Sequence, residues 1–338
     1  MSPRVRLVVA GILTLLLLGG ASVYGITEIA AYRARLDAPS QMRTTNNTSD
    51  STNAPRVVFR NTAVGAGYGL VARVPLDTPE GTRSVSTLSC DRVFETTSHT
   101  MCLRIDRGIV TTFSATLLDH AGNTLRTWGL PGIPSRTRIS PDSRLVAFTA
   151  FVTGAAYATV GFSTATEITS VDGHDYGNLE TFGLTVDGKP LTATDRNFWG
   201  VTFTQDDNVF YATAASGGNT WLVRGDLAAR TLTAIRRTAE CASVSPDGSR
   251  IAYKKNVSTT ATAYWSIAVL DLRTGEESML PEKHDVDDQV EWLDDSTILY
   301  GLPRIEQPGD SDVWSIASSG SGSPRLFIEH AWSPSVVR

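Results

Sequence analysis

The stretch that most constrains this chain is Ser243-Val244-Ser245-Pro246-Asp247-Gly248-Ser249-Arg250-Ile251-Ala252-Tyr253, because it recurs. Pro246 presets φ for the first corner of a tight turn, Asp247 can bond back to the local backbone, and Gly248 completes the turn without a Cβ. Apolar Ile251 and Tyr253 then alternate at strand period, so the stretch reads strand, turn, strand. Ile139-Ser140-Pro141-Asp142-Ser143-Arg144-Leu145-Val146-Ala147-Phe148 is a near copy. Weaker copies occupy 88–94, 203–211 and 292–300, and a half-length copy closes the chain at 332–337. Anchored at positions 90, 141, 205, 246, 294 and 334, they recur every 40 to 64 residues. Strands and Gly/Asp turns at such a period are the signature of a β-propeller.

The two chain ends fit this scheme. Residues 57–60 and 69–77 read as second and third strands of a blade that lacks its inner strand. Residues 331–334 read as an inner strand that lacks a blade. Joining them leaves no open sheet edge, which closed propellers avoid. The long gap in the third copy is accounted for by an insertion at 171–194. The expected fold is therefore all-β, a six-bladed propeller over 57–338, preceded by one N-terminal transmembrane or signal helix.

That helix is expected over 7–27, an uncharged apolar run behind a short n-region, 1–6, that carries Arg4 and Arg6. At 1.5 Å per residue its length matches a hydrocarbon core of about 30 Å. The apolar run continues past Gly19-Gly20-Ala21 to Ile26, which favours an uncleaved signal anchor. The alternative is a signal peptide cleaved at that small-residue site. Either places the bulk of the chain outside the cytoplasm, as a single-pass protein of the cell membrane or as a secreted one. Residues 28–56 are expected to be a flexible tether, since 37–56 hold almost nothing apolar to bury. Asn46 and Asn47 each begin an N-x-[ST] sequon there. With a net charge of −5 and no basic stripe, nothing points to nucleic acid.

The SPDG-type hairpins, the third strand ending Leu270-Asp271-Leu272-Arg273-Thr274-Gly275 and the sixfold count resemble the propeller domain of TolB-like proteins. Arg92-Val93-Phe94 after Cys90, and Cys102-Leu103-Arg104, resemble the membrane-tethered or secreted TolB-like proteins of actinobacteria. TolB itself has an α/β domain before its propeller, whereas this sequence has a tether in that place. The resemblance implies architecture and an extracytoplasmic setting; it does not extend to a role in a Tol-Pal assembly.

Candidate chemistry is sparse. Cys90 and Cys102 lie on a chain reversal and are expected to form a disulfide, the alternative being two unpaired small hydrophobes; Cys241 is expected buried or facing the channel. The histidines show no metal-ligand spacing, and the acidic clusters 285–288 and 310–312 lack the glycine and terminal glutamate of an EF-hand loop. There is no G-x-S-x-G elbow, Walker loop or Rossmann fingerprint, so no catalytic residue, metal or cofactor is assigned. What remains is geometry. Residues that open each inner strand converge on one mouth of a propeller channel, and by register these are Arg136, Arg138, Asn197, Glu240, Asp288, Gln289, Glu329 and His330. Such a ring would take a peptide segment or small polar ligand, the expected partner being an unidentified envelope protein or peptide, and the alternative is a watery channel whose charges neutralise each other. The leading expectation is a non-catalytic interaction or sensing module. The competing one is a lactonase- or lyase-type enzyme holding a divalent cation on Glu240, Asp288, Glu329 and Asn197, a site that Arg136 and Arg138 would oppose.

Overall fold

The protein is described from a computed structural model covering residues 2–40, 42–45, 54–152, 163–260 and 262–338. The sequons at Asn46 and Asn47 lie outside the described residues. The chain divides into two units, Met1–Met42 with Ala63–Tyr68, and Arg43–Thr62 with Gly69–Arg338.

The first unit is built on one helix, Pro3–Asp37. It is long and apolar enough to cross a membrane, with a window of mean hydropathy 2.2. It runs ten residues beyond the expected end at 27, through much of what reads as tether. Residues 28–37 (EIAAYRARLD) are mostly strong helix formers and offer no reason to stop. The stop comes at Ala38, which is extended (φ −68°, ψ 144°) because Pro39 follows it.

The second unit is the propeller, six sheets with an inner strand each. Blade one takes its inner strand, Ala331–Val337, from the C-terminus and pairs it antiparallel with Arg56–Asn61, Val57 facing Val336. Leu70–Pro75 and Arg83–Ser89 complete that sheet, and Thr44–Thr45 adds a parallel edge pairing with Arg83 and Ser84. The inner strands of the other blades are Arg92–Glu95, Gly132–Ile139, Asn197–Phe203, Glu240–Val244 and Glu291–Trp292. Successive inner strands pack side by side around the ring, the last against the first. Apolar residues of neighbouring sheets form the core between blades, as where Ala252, Ile267 and Val269 of blade five meet Trp292, Ile298 and Tyr300 of blade six.

The repeated hairpin behaves as its chemistry requires. Ser245 and Arg250 close the turn through backbone bonds, and the Asp247 carboxylate accepts from the Ser249 N–H at 3.0 Å. Hydrogen bonds from Ser245 and Ser249 hold its pKa down at about 2.

Two register readings need correction. In blade two the hairpin turn lies between the strands Arg92–Glu95 and His99–Arg107, where Thr96 and His99 bond each other, and not at Cys90. Cys90 and Asp91 instead connect blade one to blade two. Ser333-Pro334 is not a turn but a bulge inside the last inner strand, where Ser333 takes φ +56° and Pro334 needs no ladder donor. The insertion of blade three carries strands of its own: Asp175–Asn178 forms that blade's outer strand, and Gly183–Val186 pairs parallel with Thr231–Arg237 of blade four. A parallel pairing onto a neighbouring sheet has no local sequence signal.

Candidate functional site

The expected disulfide forms, Cys90 to Cys102 with Cα atoms 5.4 Å apart, while Cys241 is a buried free thiol.

The residues expected at one channel mouth separate into distinct groups. At the end where the inner strands begin, the channel is filled by the protein itself. The segment before the blade-six inner strand turns into it, leaving Val286, Asp288, Gln289 and Val290 buried. Asp288, 1% exposed, accepts from Arg92 of blade two at 2.8 Å and faces Arg136 of blade three at 3.8 Å. The Gln289 amide donates to the Val201 carbonyl of blade four at 3.2 Å and to the Ala242 carbonyl of blade five at 2.7 Å. Arg138 reaches across the ring to the Val290 carbonyl at 2.9 Å and to Glu291 at 3.4 Å. Four blades are thus tied to blade six through the channel centre.

The other members lie elsewhere. Glu240 pairs with Lys254 at 3.5 Å, and Lys254 also contacts Asp287. The Asn197 side chain accepts the Thr164 N–H at 2.9 Å. His330 meets Asp310 through Nδ1 at 2.7 Å, and half-exposed Glu329 lies 3.6 Å from Arg304. The four proposed cation ligands are therefore each engaged with a different partner. Among the described residues, no group of three or more His, Cys, Asp or Glu side chains is placed to hold a metal.

The open part of the channel lies at its opposite end. A cavity of about 300 Å³ is lined by all six inner strands, through Glu95, Arg138, Thr202, Ser243, Glu291 and Val337, and bordered by the hairpin turns at Pro141, Gln205 and Pro246. Its floor is the Arg138–Glu291 pair. Burial lowers the Arg138 pKa and raises that of Glu291, and the charge of each partner is the largest influence working against this. Arg138 also lies over the Phe94 ring, 4.8 Å from its centre. Glu95 on the rim is already committed to Arg56 and Arg73. Hydroxyls of Thr96, Thr97, Thr202 and Ser243 and the apolar Trp292 complete a wall of mixed chemistry, suited to an extended chain or a small polar molecule. A second depression of about 440 Å³ lies at the blade-four edge, but its charged groups answer one another, Arg237 with Asp187 at 2.7 Å and Lys255 with Glu277.

Arg92 and Glu291 are not among the residues that the sequence register points to. A turn at Cys90 would keep Arg92 out of the channel, whereas with Arg92–Glu95 as the inner strand it is the opening residue. Glu291 looks like a mid-strand residue and is an inner-strand opener only because that strand has two residues.

No protein-family model and no curated protein matches the chain. Solved structures do match. TolB from Acinetobacter baumannii superposes with a TM-score of 0.55 at 16% identity, over 84% of this chain and 66% of that one, so the chain spans just under two thirds of that protein. A protein assigned as TolB from Agrobacterium tumefaciens gives 0.50 at 11% identity, over 82% and 89%. A chain of a nidogen/laminin complex gives 0.56 at 11% identity, over 84% and 98%. At these identities the likeness is one of fold, and the fold this chain has is the six-bladed propeller seen in TolB-like structures.

Proposed function

We propose that this protein is a non-catalytic interaction or sensing module of the cell envelope, its propeller outside the cytoplasm and its apolar helix in the membrane. In this reading a short segment or small polar ligand of an envelope partner enters the 300 Å³ cavity and meets Arg138 and Glu291. The observation that carries it is the lining: all six blades contribute to one open cavity whose lining includes the buried ion pair Arg138–Glu291. One propeller of this fold was solved within a complex of two proteins, nidogen and laminin, which is in keeping with an interaction role. The cation-dependent enzyme reading is weaker, because Glu240, Asp288, Glu329 and Asn197 are held apart by separate partners.

A photo-crosslinking residue at Gln205 tests this directly, with one at Asn123, on a turn away from the cavity, as control. In intact envelopes Gln205 should give a discrete adduct that Asn123 does not, and Arg138→Met should weaken it. Identical adducts from both positions would overturn the reading. Mass spectrometry of the mature N-terminus separates an anchored from a secreted protein.

A further inference from the structure

Exposed apolar side chains are unevenly distributed over the propeller. A single exposed Leu or Ile is ordinary on a protein surface. Here their location follows a rule. Ile109 and Val110 lie between the second and third strands of blade two, Val257 and Tyr264 between those of blade five, and Ile305 between those of blade six. Ile133 and Phe151 pair at the same end of blade three. All seven belong to the face where the inner strands begin. The opposite face, built from the Ser/Pro/Asp/Gly hairpin turns, exposes no large apolar side chain among the described residues. Leu125, Ile235, Met279 and Leu326, the remaining exposed ones, sit on outer strands.

Nothing in the propeller explains the two extremes. Ile109 is 108% exposed and Ile305 is 95% exposed, so neither packs against any part of the chain. The first of these tips follows an exposed arginine, Arg107 before Gly108-Ile109-Val110, whereas Arg304 before Ile305 is held by Asp312 at 2.7 Å. Tyr264 keeps its hydroxyl on the Lys283 carbonyl while leaving its ring partly exposed. Apolar tips, one with an exposed cation beside it, and an interfacial aromatic are what the boundary between water and lipid selects. A protein partner would favour one contiguous patch, whereas tips on four separate blades can each enter a planar bilayer independently.

We infer that this face rests on a lipid bilayer, the tips Ile109–Val110 and Ile305 entering the interface and turning the cavity with Arg138 and Glu291 away from the membrane. The inference rests on the reading above that the helix Pro3–Asp37 is membrane-inserted. A tethered domain meets the surface at high effective concentration, so a few shallow side chains are enough to orient it.

The test uses the full chain in vesicles of mixed zwitterionic and anionic phospholipid. Flotation with the vesicles reports membrane attachment as such, to which the helix contributes most. A fluorophore is attached in turn to Ile109→Cys, Ile305→Cys and Ser249→Cys, the last on the opposite face, and quenching by spin-labelled lipid is measured. The labelled sites are exposed, and far-UV circular dichroism confirms that each variant folds. Quenching at 109 and 305 should exceed that at 249 at least threefold, and Val110→Ser should reduce it at 109. Equal quenching on both faces in floating protein overturns the inference while leaving the anchor intact. Tips shielded from aqueous iodide but not quenched by lipid would mean a protein partner, such as a second copy, and would also overturn it. Failure to float would remove the anchor on which the inference depends and overturn both.

Discussion

Arg92 of blade two and Asp288 of blade six meet at 2.8 Å inside the channel, joining residues 196 positions apart in sequence. Arg92 also lies over the Trp332 ring of blade one, 4.9 Å from its centre. Burial lowers the Arg92 pKa, and the charge and hydrogen bond of Asp288 work against that loss.

Breaking the pair from one side strips a buried charge of its nearest partner: without Arg92, Asp288 keeps only Arg136 at 3.8 Å, and without Asp288 the two guanidiniums face each other without the carboxylate they share. Arg92→Met or Asp288→Leu should each cost about 3–5 kcal/mol, and the double variant should cost less than the sum. Denaturant titration of the four chains reads the coupling directly. Strict additivity would mean that the pair contributes nothing beyond its packing.

The disulfide should stabilise by about 2–4 kcal/mol, as expected for a short closed loop. Of three cysteines, one should react with a thiol reagent in denaturant without reductant, and none in the native state, because Cys241 is buried. Cys90→Ala with Cys102→Ala should lower the melting temperature by the amount that reduction does.

Glu95 gives a pH dependence. Burial pushes its pKa up, but hydrogen bonds and charge from Arg73, and then Arg56, outweigh this and hold it below the ordinary 4.5. A lowered carboxylate pKa stabilises fully above the unfolded value, and that stability is lost as pH falls through the folded one. Unfolding midpoints should therefore drop as pH goes from about 4.5 downward. Glu95→Gln should be less stable at neutral pH and show a shallower acid slope.

Gly225 faces Phe210 across the sheet of blade four, and a Cβ there would lie 2.2 Å from the Phe210 ring. Gly225→Ala should lose about 1–3 kcal/mol through overpacking. Gly129, with nothing within 4 Å of its added Cβ, should accept alanine at no comparable cost. Equal melting temperatures for the two variants would contradict the packing described for that blade.

What could be read in the sequence follows the range of each interaction. Turns such as Ser245–Gly248 are local, so their period revealed the blades and the meeting of the chain ends. Cys90 and Cys102 are brought together by a single strand pairing, and that too was legible. The channel bonds of Arg138 and Gln289 join residues from different blades far apart in sequence, and their register depends on where a two-residue inner strand starts. For that reason the expected mouth is the filled end, and the open cavity lies at the other. The exposed tips at Ile109 and Ile305 carry no strand period at all and acquire meaning only once the faces of the ring are known.

The central claim is that the last strand completes blade one, and with it the ring whose centre holds the cavity. Its most direct test is thermal unfolding of a chain lacking residues 331–338, compared with the intact protein. Loss of the strand that bonds Val57 and Glu95 should abolish the single cooperative transition or lower its midpoint by more than about 10 °C. A truncated chain that melts at the same temperature, with the same cooperativity, would contradict the closure and the cavity built on it.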